Sequence, residues 1–234
     1  IEKGSFLNTP VVHHSIINPV DGGTKTGYLF YNRFAAGEND RFFNELKNVF
    51  MAFRSAGIKS LILDLRYNGG GELQAARQLC SLIVPPQRLG DILMYQERAE
   101  SYGNPAAFEK SGFVNDEQVR GANAGIRNLY VIVRGNTASA SELLIHCLKP
   151  HFSQSGGSLT LIGDTTYGKN VCDRKISDTR YDWVFDPLIT LRIYYNYKVS
   201  GYESGQEPDY PAEEIIPGSP AITNPSRLKL RHLG

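Results

Sequence analysis

The residues best equipped for chemistry lie in three short turns. The first is Thr137-Ala138-Ser139-Ala140-Ser141-Glu142. It follows the apolar run Leu129-Tyr130-Val131-Ile132-Val133 and leads into a helical pattern at Leu143, Leu144, Cys147 and Leu148. A strand, a tight turn and a helix with serine at the turn set a hydroxyl at a helix N-terminus. Main-chain N–H groups lack partners there and the dipole favours negative charge. Ser139 is the candidate nucleophile. The second turn is Tyr67-Asn68-Gly69-Gly70-Gly71. Glycine permits the close backbone approach and unusual φ that an oxyanion hole needs. Gly70 is the favoured donor there, Gly71 the next, and the Ala140 N–H is the partner donor beside Ser139. The third is Tyr167-Gly168-Lys169, at a strand end. Acyl transfer needs a nucleophile, a base and an oxyanion hole, and Lys169 is the candidate base.

A free lysine titrates near 10.4. As a base it must be neutral, and burial can lower it toward roughly 7 to 8. Asp173 lies four residues on and shares a face with Lys169 if the segment is extended. A carboxylate there would orient the amine but also hold its proton. Ser141 is a rival nucleophile, turned about 200° from Ser139 on a helix, so only one of the two can face a common site. His146 lies two helical turns from Ser139, roughly 10 Å away. His13 and His14 are adjacent on a strand, one on each face, and are rival bases. Each turn also has a structural reading. Thr137 or Ser139 can cap the helix with Glu142 closing a capping box. The glycines can be a plain loop, and Lys169 a solvated surface lysine.

The elements that must position these turns follow from periodicity. Val11 to Ile17 and Gly27 to Phe34 form two strands of a hairpin around Asp21-Gly22-Gly23. Residues 38–56 form an amphipathic helix through Phe42, Phe43, Leu46, Val49, Phe50 and Phe53, closed by Gly57. The run 58–66 is a strand whose near-continuous apolar centre suits a parallel sheet buried on both faces. A helix with Leu73, Ala76, Leu79, Cys80 and Ile83 ends before Pro85-Pro86. Strand, turn and helix thus occur twice, at 58–83 and 129–148, which points to α/β architecture. Asp91 to Tyr95 is a short strand. The polar stretch 97–125 is a long excursion with a short helix near 105–110, of the kind that forms a lid or groove wall. Leu159 to Gly163 is a further strand. Trp183-Val184-Phe185 and Leu188 to Tyr194 suggest a hairpin around Asp186-Pro187. From Gly201 onward the chain is rich in Gly, Pro and acids and reads as irregular.

Composition bounds the function. With 234 residues, 41% hydrophobic and 21% charged, the chain is a soluble globular protein. A formal charge of +1 without a basic cluster excludes nucleic acid as the expected partner. No apolar run approaches the roughly 18 residues of a membrane span. The three cysteines, Cys80, Cys147 and Cys172, form no C-x-x-C, and no histidine spacing suggests zinc. Cys80 and Cys147 fall on apolar helix faces as buried free thiols do. No metal and no cofactor is expected. The chain opens Ile1-Glu2-Lys3, which suggests a processed or truncated piece.

Together three ordered motifs resemble the C-terminal processing (tail-specific) serine peptidases: Leu63-Asp64-Leu65-Arg66-Tyr67-Asn68-Gly69-Gly70-Gly71, Asn136-Thr137-Ala138-Ser139-Ala140-Ser141-Glu142 and Gly163-Asp164-Thr165-Thr166-Tyr167-Gly168-Lys169. The resemblance spans about residues 27–200. Asp182-Trp183 and 201–210 look most like envelope members of Bacteroidetes-type bacteria. It implies a Clp-protease/crotonase-like α/β fold of stacked ββα units with a mostly parallel central sheet and a β-rich C-terminal extension. It implies a Ser139–Lys169 dyad, oxyanion donors at Gly70 and Ala140, and protein or peptide substrates cut near their C-termini. It also implies a periplasmic or outer-envelope setting, with a lipid anchor as one form, and a PDZ domain in the full-length protein. The position four after the lysine is Asp173 where family members carry glutamine, and the spacing from Ser139 to Lys169 is longer through 154–158. The whole chain, 1–234, is then one catalytic domain: hairpin 10–35, core 36–200 and irregular segment 201–234. Two other functions share this fold: a non-catalytic peptide- or ligand-binding module, and a Ser–His tricorn-type peptidase using His13 or His14.

Overall fold

Most of the apolar runs become strands of a six-stranded sheet. In the computed structural model, residues 9–19, 22–98, 108–173, 176–178, 180, 183–185, 188–194 and 201–213 are described. The chain runs β1 (Val11–Ile17), β2 (Thr26–Tyr31), α1 (Arg41–Ser55), β3 (Ser60–Asp64), α2 (Leu73–Ile83), β4 (Ile92–Arg98), β5 (Phe108–Gly112), α3 (Glu117–Ala122), β6 (Asn128–Val133) and α4 (Ala140–Gln154). It continues through β7 (Ser158–Gly163), β8 (Cys172–Asp173), β9 (Ile176–Asp178), β10 (Trp183–Phe185), β11 (Leu188–Tyr194) and β12 (Tyr210–Pro211). The main sheet has the order β1-β2-β3-β6-β7-β12. β1 is antiparallel to β2, and the remaining pairs are parallel.

Alternation decides which residues enter the core. Leu29, Leu61, Leu63, Leu129, Val131, Val133 and Leu161 point to one face and pack with Phe50 and Phe53 of α1, Leu79 of α2 and Leu144 and Leu148 of α4. Tyr28, Phe30, Ile62, Tyr130 and Ile132 point the other way and are only half-buried. The expected burial of β3 on both faces is therefore corrected: Ile62 stays partly open. Cys80 and Cys147 are free and fully buried, and burial pushes both thiols up, keeping them neutral.

Parallel strands put their C-terminal ends on one edge of the sheet. The turn after β3 carries 67–71, and the turn after β6 carries Ser139. The Lys169 turn follows β7. Three adjacent strands therefore deliver the three chemical turns to the same edge.

A second, antiparallel sheet has the order β5-β4-β11-β8, and β9 pairs with β10. Two local expectations change here. The short helix near 105–110 does not form at 108–110, which belong to β5 and pair with β4; 105–107 lie outside the described residues. The helix of this stretch is α3, capped by Asp116, whose carboxylate accepts the Val119 N–H at 2.8 Å. Trp183–Phe185 and Leu188–Tyr194 do not pair with each other. The first pairs with β9, the second with β4 and β8. A partner strand distant in sequence overrides the local turn signal.

Candidate active site

Ser139 sits at the elbow between β6 and α4 with φ 57° and ψ −116°. A side chain with positive φ is held there against a local cost of about 1–3 kcal/mol, so its surroundings must fix it. The Ser139 N–H donates to Glu142 Oε2 at 2.9 Å, and the Ser139 carbonyl accepts the Leu143 N–H at 2.9 Å. The next N–H, of Ala140, is the first of the helix and finds no acceptor among the described residues. It is free to meet a developing negative charge.

The glycine turn lies directly against this elbow. A Cβ placed on Gly70 would stand 2.7 Å from Ser139 Cβ, 2.9 Å from the Ala138 carbonyl oxygen and 3.1 Å from the Ala140 nitrogen. Gly70 also has φ +106°, so both space and backbone require glycine. Asn68, fully buried, holds the turn. Its Nδ2 donates to the Tyr31 carbonyl at 3.0 Å, and its Oδ1 accepts the Gly70 N–H at 2.9 Å. That N–H must leave Asn68 Oδ1, or share it, to serve an oxyanion.

Ser141 takes the structural role. It is fully buried, and its hydroxyl donates to the Asn68 carbonyl at 2.9 Å, next to the Ala138 N–H at 3.3 Å. Thr137 repeats the pattern one strand end away, donating to the Leu65 carbonyl at 2.9 Å and accepting the Arg134 N–H at 2.9 Å. Between them they leave Ser139 as the serine at the open elbow. Upstream, Asp64 is buried and paired with Arg66 at 2.7 Å, and it accepts the Tyr28 hydroxyl at 2.7 Å. Burial, then the Asp64 carboxylate, push that phenol up to about 12.

The third turn is bound to the first through one carboxylate. Glu142 is fully buried, and its side chain accepts four hydrogen bonds. Oε2 takes the N–H of Ser139 at 2.9 Å and the N–H of Lys169 at 2.8 Å. Oε1 takes the Thr166 hydroxyl and the Gly168 N–H, both at 2.6 Å. The main-chain N–H groups of Ser139 and Lys169 thus meet at a single oxygen. The Tyr167 N–H adds a bond to the Thr137 carbonyl at 3.0 Å. The capping box visible in the sequence is one of these four bonds; the other three come from 166–169 and have no local signature.

The remaining site residues are placed as follows. Asp173 pairs in β8 with Leu188 of β11, and its side chain lies outside the described residues. His13 and His14 are exposed on the edge strand β1, beside Tyr28 and Phe53 with ring centroids at 6.0 and 6.5 Å. Three strand spacings, roughly 14 Å, separate β1 from β6. His146 lies against the Tyr202 ring, with centroids 5.0 Å apart and the planes tilted by 50°. Among the described residues no group of His, Cys, Asp or Glu could hold a metal. A polar cavity of 410 Å³ near Asn39, Asp40, Gln74 and Gln78 contains none of the three turns and no nucleophile.

Comparison with known proteins identifies the family and the fold. The sequence profile of peptidase family S41 matches residues 25–211. A carboxyl-terminal-processing protease of Synechocystis sp. is 30% identical over 149 residues, covering 64% of this chain and 29% of that protein. Its counterpart in Picosynechococcus sp. is 29% identical over 164 residues, covering 66% of this chain and 33% of that protein. The crystal structure of a Bacteroides fragilis protein assigned to the S41 proteases superposes with a TM-score of 0.77 at 30% identity, over 88% of this chain and 51% of that one. A photosystem II D1 C-terminal processing protease shares the fold at a TM-score of 0.60 and 22% identity, over 88% of this chain and 48% of that one. The chain therefore spans about a third of the length of the curated relatives it matches.

Proposed function

This chain belongs to peptidase family S41, and we propose that it is a serine endopeptidase that cuts peptide bonds near substrate C-termini with Ser139 and Lys169. The relatives named as carboxyl-terminal-processing proteases support the substrate class. The observation that carries the residue assignment is the shared Glu142 Oε2, which binds the main chain of Ser139 and of Lys169 at once.

The steps follow from the groups present. Neutral Lys169 Nζ takes the proton of Ser139 Oγ as that oxygen bonds to the scissile carbonyl carbon. The carbonyl oxygen becomes an oxyanion facing the free Ala140 N–H and the glycine turn, with Gly70 as second donor once it releases Asn68 Oδ1. Collapse breaks the C–N bond. The Lys169 ammonium returns its proton to the leaving amine, and an acyl-enzyme on Ser139 remains. Water then attacks the ester, giving its proton to Lys169, and Ser139 leaves as its alkoxide and takes that proton from the Lys169 ammonium, which restores both groups. The Ala140 N–H and the elbow are in place beforehand, and the rearrangement asked of the main chain is the release of the Gly70 N–H from Asn68 Oδ1.

The PDZ domain and the envelope setting of the full-length protein rest on the family resemblance alone and are proposed with it. The test is hydrolysis of a peptide substrate by Ser139→Ala and Lys169→Ala. Each is expected to lose about a thousandfold or more in kcat while keeping its circular dichroism and melting point. Full turnover by Lys169→Ala would remove lysine from the role of base.

A further inference from the structure

The segment from Gly201 that reads as irregular in the sequence packs against the Lys169 turn and ends in β12. Tyr202 is buried at its start, with 1% exposed, and its carbonyl accepts the Gly205 N–H at 2.9 Å. At its far end Asp209 accepts the Leu161 N–H at 2.8 Å and pairs with Lys149 at 3.7 Å. Tyr210 and Pro211 then add a parallel strand to β7, and the Ala212 N–H reaches the Gly163 carbonyl at 3.1 Å. One end is buried and the other is paired with β7, and the middle lies directly against the Lys169 turn. A Cβ on Gly205 would lie 2.1 Å from the Thr166 carbonyl oxygen, and one on Gly168 2.4 Å from the Glu203 carbonyl oxygen. Neither place admits a side chain.

Gln206 is the residue at the centre of this contact. Its main-chain N–H donates to Thr166 Oγ1 at 2.8 Å, and its carbonyl accepts the Thr166 N–H at 3.2 Å. Because Thr166 Oγ1 accepts from Gln206, its own proton is directed to Glu142 Oε1, at 2.6 Å. The Gln206 side chain reaches the other element: Nε2 donates to the Glu142 carbonyl at 2.9 Å. One residue thus bonds both α4, whose N-cap is Ser139, and the turn that carries Lys169.

We propose that Gln206 is a positioning residue of the active site, acting through Thr166 and Glu142 to hold the Lys169 turn against the Ser139 elbow. The inference rests on the Ser139–Lys169 reading given above. Its force comes from the division of labour within Gln206. The two main-chain bonds to Thr166 survive most substitutions, whereas the carboxamide supplies only the link to α4. Removing the carboxamide leaves the strap and the Glu142 bonds in place and takes away one of the links that fix the two halves of the site relative to one another. Small displacements of reacting groups cost rate out of proportion to stability, on the order of a hundredfold for about 1 Å.

The experiment uses the chain with Gln206→Met, which keeps the volume and removes the donor, and Gln206→Ala. Steady-state kinetics with a peptide substrate and single-turnover acylation with a p-nitrophenyl ester of an N-acyl amino acid are measured alongside thermal unfolding. The expected result is a fall of about tenfold or more in kcat and in the acylation rate, KM within about twofold of wild type, and a protein fully folded at the assay temperature. A wild-type kcat and acylation rate in Gln206→Met would overturn the proposal, as would a loss no larger than its unfolded fraction. Ser139→Ala and Lys169→Ala are assayed beside it. If either keeps wild-type turnover, the dyad reading fails, whatever Gln206→Met does. If both are inactive and Gln206→Met is unaffected, only the positioning role fails.

Discussion

Replacing Glu142 by glutamine tests how the site is assembled. The carboxylate offers two oxygens to four donors inside a fully buried pocket. A carboxamide keeps one oxygen and turns the other into an NH2 group. With the NH2 toward Ser139 and Lys169, two main-chain N–H groups lose their acceptor. With the NH2 toward Oε1's partners, the Thr166 hydroxyl turns to accept, and its own proton and the Gly168 N–H lose their acceptor. Either arrangement leaves two buried donors unsatisfied, at about 1–3 kcal/mol each. The expected loss is about 2–6 kcal/mol, a large part of the roughly 5–15 kcal/mol that holds a domain of this size together. The assay is urea unfolding for the midpoint and slope, with kcat/KM measured at a temperature where the variant is folded. A fall of at least about a hundredfold in kcat/KM should accompany the shift in midpoint. Unchanged midpoint and unchanged kcat/KM in Glu142→Gln would refute the tether.

Three other outcomes follow from individual contacts. Gly70→Ala forces a Cβ to 2.7 Å from Ser139 Cβ at φ +106°, so it should lower the melting point by the equivalent of about 1–3 kcal/mol or more and abolish turnover; calorimetry and a peptide assay check both. Ser141→Ala loses its bond to the Asn68 carbonyl, worth about 1 kcal/mol, and should keep turnover within about tenfold, whereas Ser139→Ala should do the reverse; unfolding and kinetic measurements on the two variants separate the serines. Burial holds His151 below its ordinary range, so the unfolded chain takes up a proton at higher pH than the folded one. Stability from this group is complete above about 6.5 and is lost as pH falls below it, and His151→Leu should flatten that drop in urea midpoints measured between pH 8 and pH 5.

What the sequence made legible is what repeats locally. The phenylalanines of α1 recur at helical spacing, the apolar runs of β3, β6 and β7 end in turns of glycine or small polar residues, and these placed Ser139, Gly70 and Lys169 in turns at strand ends; the adjacency of the three strands comes from the sheet order. Register and long-range pairing were not legible. Leu188–Tyr194 finds β4 across most of a hundred residues, and no nearby signal marks that choice. The same holds at the site. Glu142 shows in the sequence as a capping partner three residues from Ser139, but three of its four donors arrive from 166–169. Gln206 sits in a stretch whose glycines and acids suggested only a loop. Its role follows from three contacts with two elements that are far from it in the chain. Ser139 and Ser141 were separable only in part, because helical geometry showed that they diverge but not which one met Asn68.

The most direct test of the proposed chemistry is to trap the acyl-enzyme. The chain is mixed with a p-nitrophenyl ester of an N-acyl amino acid, quenched in acid, digested and read by mass spectrometry. The expected result is a single acyl group on Ser139, absent from Ser139→Ala and formed at least about a hundredfold more slowly by Lys169→Ala. An acyl group on Ser141 or another serine, or one that forms at the wild-type rate without Lys169, would contradict the Ser139–Lys169 mechanism.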